Sequence, residues 1–107
     1  MYTTQDRRIK PRISCDYPAT VMGYDNQGEK YIDNATLANL SASGLFMWAN
    51  RYIENGSKLT VTVRLCNAFL REEETPQLAT NGIVVRTEPQ ADGMCGVAIK
   101  FNNYRFL

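Results

Sequence analysis

Two short constellations carry the residue types that can recognise an anion or a polar ring. The first is Arg8-x-x-x-Arg12, with Arg7 directly ahead of it and Lys10 inside it. Four of the chain's 12 basic residues therefore fall within six positions. A guanidinium is planar, always charged and carries a fork of donors. It pairs bidentately with phosphate or with the O6/N7 edge of guanine, and it stacks on base faces. The plainer reading is an exposed basic tail that only solubilises. The second constellation is Asn39-Leu40-Ser41-Ala42-Ser43-Gly44. Asn39 offers both donor and acceptor, Ser41 a rotatable hydroxyl, and Gly44 a backbone without a side chain. That set suits a polar ligand edge approaching a turn. It also suits a β-turn that stabilises itself through Asn and Ser bonds to its own backbone.

The rest of the chain narrows the chemistry by what it lacks. There is no histidine, which removes the Ser/His/Asp and Cys/His triads, His-based zinc sites and His general bases together. Cys15, Cys66 and Cys95 are widely spaced with no C-x-x-C, so zinc-ribbon and thioredoxin readings fail. An odd cysteine count with no signal peptide points to a reducing cytoplasm, with the three thiols as small packers in strands. The carboxylates fall mostly in turns and polar loops, and the run Glu72-Glu73-Glu74 reads as solvated surface. No P-loop and no G-x-G-x-x-G occurs. The chain reads as a binding protein rather than an enzyme, with no cofactor and no metal. Net charge is only +1, which argues against a DNA- or RNA-binding protein that works through bulk positive charge.

The 107 residues fit one domain over 1–107, with 44% hydrophobic and 21% charged residues. A chain of this size buries about two-thirds of its unfolded surface and needs no disulfide to hold a core. Its apolar runs fall far short of the roughly 20 residues of a spanning helix, so no membrane insertion is expected. Residues 1–12 read as a flexible arm that carries the Arg motif, since Pro11 disfavours helix before it. From Ile13 to Val21 apolar residues alternate cleanly, and Pro18 suggests an edge position or a bulge. A turn at Asp25-Asn26-Gln27-Gly28 precedes a strand over about 30–39, with a bulge expected at Asp33-Asn34. Further strands are expected over Leu45–Trp48, Leu59–Leu65, Leu78–Thr87 and Met94–Phe101, with turns at Asn55-Gly56 and Pro89–Gly93. Six strands with little helical periodicity predict an all-β fold, a six-stranded antiparallel β-barrel. Asn102–Leu107 could begin at most a short C-terminal helix.

An N-terminal R-x-x-x-R followed after strand, turn and strand by N-x-S-x-x-G resembles the PilZ domain family, whose two signature motifs stand in this order. The strand Gly96-Val97-Ala98-Ile99-Lys100-Phe101 is similar to the family's closing strand. The resemblance implies a receptor for cyclic di-GMP, a bacterial second messenger, that relays its level to a partner protein. By motif matching, Arg8 and Arg12 would grip guanine edges and phosphates, Asn39 and Ser41 would bond a guanine, and Gly44 would allow close approach. Arginine at position 7 implies an intercalated pair of ligands rather than one. The alternative is a PilZ-like interaction module for pilus or flagellar machinery that binds no nucleotide. An oligonucleotide-binding barrel would want a row of exposed aromatics along a basic groove, and of Tyr2, Tyr17, Tyr24, Tyr31, Trp48, Tyr52 and Tyr104 the strand pattern makes several core or scattered surface.

Overall fold

The computed structural model describes residues 13–65 and 75–107. They form six strands: β1 (Ile13–Tyr24), β2 (Lys30–Leu40), β3 (Gly44–Ala49), β4 (Lys58–Arg64), β5 (Gln77–Pro89) and β6 (Cys95–Phe106). All pairings are antiparallel, and the strands close into a barrel in the order β1-β2-β3-β6-β5-β4. Closure removes the exposed edges that an open sheet of this size would leave.

Period-two alternation builds the core. In β4, Leu59, Val61 and Val63 point inward while Thr60 and Thr62 sit half-buried on the other face. Leu45, Met47 and Ala49 of β3 and Cys95, Val97 and Ile99 of β6 do the same from the opposite wall. β-Branched residues fit such a pleated, half-buried surface. Cys95 is fully buried as a free thiol, a small packer as its strand position implied; the side chains of Cys15 and Cys66 lie outside the described residues. The one buried polar side chain among the described residues is Thr80, and its hydroxyl donates to the carbonyl of Val61 at 2.9 Å. That bond removes the cost of desolvating it. The expected turns form. The Asp25 carboxylate accepts from the amides of Gln27 and Glu29, both at 2.9 Å, and Gly28 takes a positive φ of 80°.

Two expectations need correction. Residues 102–106 continue β6 instead of opening a helix, with Asn103 opposite Asn81, Tyr104 opposite Thr80 and Phe106 opposite Leu78. A six-residue helix closes too few internal bonds to compete with a ready ladder on β5. The irregularity in β2 lies at Ala38, between Leu37 and Asn39, and not at Asp33-Asn34, whose register with Val21 and Thr20 is continuous. Near Pro18 the expectation holds in part. The β1–β2 register shifts between Ser14 and Tyr17, and β4 pairs with β1 only from Ala19 to Met22, so no β4 bond is asked of the missing amide.

Candidate functional site

The Asn39–Gly44 segment forms the β2–β3 turn and lines a cleft of about 400 Å³ on the barrel's outer wall. The cleft runs from Asn39, Ser41 and Gly44 across Phe46 to Ala98 and Lys100 on β6 and to Val85 and Arg86 on β5. Of the six residues singled out in the sequence, the structure brings Asn39, Ser41 and Gly44 together. Arg7, Arg8 and Arg12, with the arm 1–12, lie outside the described residues.

Asn39 owes its place to the Ala38 bulge. Strict alternation after the inward Leu37 would turn Asn39 inward as well. The extra residue restores Asn39 to the outer face, opposite Phe46, and leaves Leu40 opposite the buried Leu45. Its side-chain amide has no hydrogen-bond partner among the described residues. Ser41 is engaged locally. Its amide donates to the Gly44 carbonyl at 2.9 Å, and its hydroxyl sits 3.3 Å from the same oxygen and 3.4 Å from the Ser43 amide. The turn thus stabilises itself through its serines while leaving the asparagine available.

Gly44 has a packing role of its own. A Cβ built there runs into the carbonyl oxygen of Ile99 on β6. The obstacle is backbone, so no rotamer change relieves it. Gly44→Ala is expected to push β3 off β6 and lower stability by about 1–3 kcal/mol, the usual cost of overpacking. A thermal melt checks this; an unchanged Tm would show that the strands yield freely.

Phe46 forms the floor. Gly96 lies opposite Trp48, and a Cβ there would meet the rings of Phe46 and Trp48 at 2.6 and 3.1 Å. The bare backbone lets the two rings settle edge to face, with centroids 5.2 Å apart and planes at 87°. That packing fixes the orientation of an aromatic surface inside the cleft. Sequence reasoning did not single out Phe46, Arg86 or Lys100. The sequence signals are slight: Phe46 follows Gly44 by two residues and Lys100 lies in the closing strand, while nothing local marks Arg86.

A second polar cluster lies at the other end of β2. Arg51 pairs with Asp33 through Nε at 2.5 Å and Nη2 at 3.1 Å, and its guanidinium stacks 3.9 Å over the Tyr31 ring. Burial lifts the Tyr31 phenol above its ordinary pKa against the opposing pull of Arg51, and the hydrogen bond to Asp33 holds the Arg51 guanidinium charged. One edge of the guanidinium is engaged by Asp33 and one face by Tyr31, which ties β2 to the β3–β4 connection. Among the described residues no group of carboxylates and cysteines is arranged to hold a metal ion, and no helix is long and apolar enough to cross a membrane.

The family model for the PilZ domain matches residues 6–105. The chain belongs to the PilZ domain family. No curated protein matches it, but solved structures do. One is the Bacillus subtilis inhibitor of motility MotI/DgrA (TM-score 0.63, 16% identity, 94% of this chain and 44% of that one). Another is the PilZ domain of YcgR from Escherichia coli with c-di-GMP (TM-score 0.58, 13% identity, 92% and 79%). A third is the K. pneumoniae MrkH–c-di-GMP complex (TM-score 0.50, 15% identity, 92% and 45%). At these identities the likeness establishes the fold, and this PilZ chain spans under half the length of the B. subtilis and K. pneumoniae proteins.

Proposed function

We propose that this chain is a cyclic di-GMP receptor that relays the level of the messenger to a partner protein, working as a binding module without catalysis in the bacterial cytoplasm. One observation carries the reading: the strand that follows the arginine motif begins beside the end of the strand that carries Asn39. Ile13, the first residue of β1, pairs with Leu40, and Ser14 stands opposite Asn39. Arg12 directly precedes Ile13 in the chain, and on this reading the arginine motif reaches the turn that holds N-x-S-x-x-G. Cyclic di-GMP presents two phosphates and two guanines. Guanidiniums from the arm match the phosphates and the guanine O6/N7 edges, the free Asn39 amide matches a guanine edge, and Phe46 supplies an apolar surface. A near-neutral chain suffices because positive charge is clustered in the arginine motif. The family and the YcgR and MrkH complexes with c-di-GMP support the same ligand.

Amide NMR tests the location. Added cyclic di-GMP is expected to shift Asn39, Ser41, Gly44 and Lys100 and to leave Arg51 and Tyr31, at the far end of β2, in place. Shifts confined to the Tyr31–Arg51 end, or none, would contradict the reading.

A further inference from the structure

The cleft has a second bulge whose effect matches that of the first. In β5 the register with β6 shifts between Val84, opposite Ile99, and Arg86, opposite Ala98. Val84 points into the core and Val85 is 54% exposed, so simple alternation would send Arg86 inward. The extra residue instead delivers Arg86 to the outer face. Ala98 in turn faces Phe46, and Phe46 faces Asn39. One cross-strand row, Asn39–Phe46–Ala98–Arg86, therefore crosses four neighbouring strands, and a bulge turns outward the polar residue at each end. The middle of the row is an aromatic ring and a methyl group, an apolar surface of the kind on which a planar base stacks.

Arg86 is held ready for a ligand. Its Nε donates to Glu88 at 2.6 Å, and its guanidinium carbon lies 5.7 Å from the Phe46 centroid. The two terminal nitrogens have no hydrogen-bond partner among the described residues. Glu88 thus engages Nε and leaves the two terminal nitrogens for a ligand in the cleft that Arg86 lines. Lys100, exposed and opposite Gly44, adds a second cation at the same wall.

We infer that Arg86 is a ligand-binding residue on the barrel itself, which clamps the phosphodiester or guanine of a nucleotide lying on Phe46 from the side opposite Asn39. The inference rests on the cyclic di-GMP reading and adds to it a contact that the two signature motifs do not contain. A guanidinium with one edge already fixed loses little freedom on binding, and its remaining donors form charge-assisted bonds. Loss of such bonds weakens binding by about tenfold or more.

Calorimetric titration of cyclic di-GMP into the natural chain and into Arg86→Ala, Arg86→Lys and Lys58→Ala is the test. Arg86→Ala is expected to bind about tenfold more weakly with its Tm nearly unchanged, since the side chain is mostly exposed. Arg86→Lys should not restore the affinity, because an ammonium lacks the fork. Lys58→Ala, with the same loss of charge on β4, should bind like the natural chain. Binding by the natural chain that Arg86→Ala leaves intact overturns the role of Arg86 alone. Equal weakening by Lys58→Ala reduces it to bulk charge and overturns it too. Absence of binding by the natural chain overturns the cyclic di-GMP reading itself.

Discussion

Arg12→Ala is expected to weaken cyclic di-GMP binding by about ten- to a hundredfold while the barrel stays folded. The substitution removes one or two charge-assisted hydrogen bonds of about 1.5–3 kcal/mol each, and about 1.4 kcal/mol corresponds to a factor of ten. Folding survives because Arg12 precedes the first ladder pair, Ile13 with Leu40, and the core is drawn from the strands that follow. Arg8→Lys is expected to fail as well, since an ammonium is a point charge and cannot reproduce a bidentate grip. Titration calorimetry paired with a thermal melt reads both effects. A collapsed melt for Arg12→Ala would make the residue structural instead.

Arg7→Leu is expected to change the number of ligands bound, from two per chain to one, without abolishing binding. Two intercalated cyclic di-GMP molecules bring four phosphate charges together. A third guanidinium beside Arg8 and Arg12 offsets part of that repulsion, and it can lie flat on an exposed guanine face. Leucine can cover the same face but supplies no charge, so the second ligand loses its support while the first keeps Arg8, Arg12 and Asn39. The cleft's aromatic floor does not depend on residue 7, which is why binding persists. Isotherms of both proteins at matched concentration decide it. A ratio of one for the natural chain, unchanged by the substitution, would refute the role of Arg7.

Much of the barrel is legible in the alternation of β4 and β6, where Val61, Val63, Val97 and Ile99 recur at every second position and a single register buries them all. The turns at Asp25–Gly28 and at Gly56 and Gly93 are legible for a local reason: each glycine takes a positive φ that other residues avoid. Neither bulge is legible in this way. Ala38 and Val85 are ordinary strand residues, and their extra position is set by pairing with β3 and β6 rather than by their own chemistry. The half of the site carried by Asn39, Ser41 and Gly44 could be found because the motif is contiguous. Phe46 follows Gly44 by two residues, but Arg86 and Lys100 lie on β5 and β6, distant in the chain, and only the β3-β6-β5 pairing brings them beside the turn. The extension of the final strand past Phe101 is not legible because Asn102 to Leu107 shows no clean period, and its conformation comes from β5 across the ladder.

The two motifs together are expected to form a cyclic di-GMP site. One calorimetric titration of the natural chain with cyclic di-GMP, run beside GMP, tests it most directly. The expected result is saturable binding at micromolar or tighter Kd, about 8 kcal/mol or more, with GMP far weaker because it offers one guanine and one phosphate where each cyclic di-GMP offers two of each. No heat of binding at high micromolar cyclic di-GMP, or GMP binding as tightly, would contradict it.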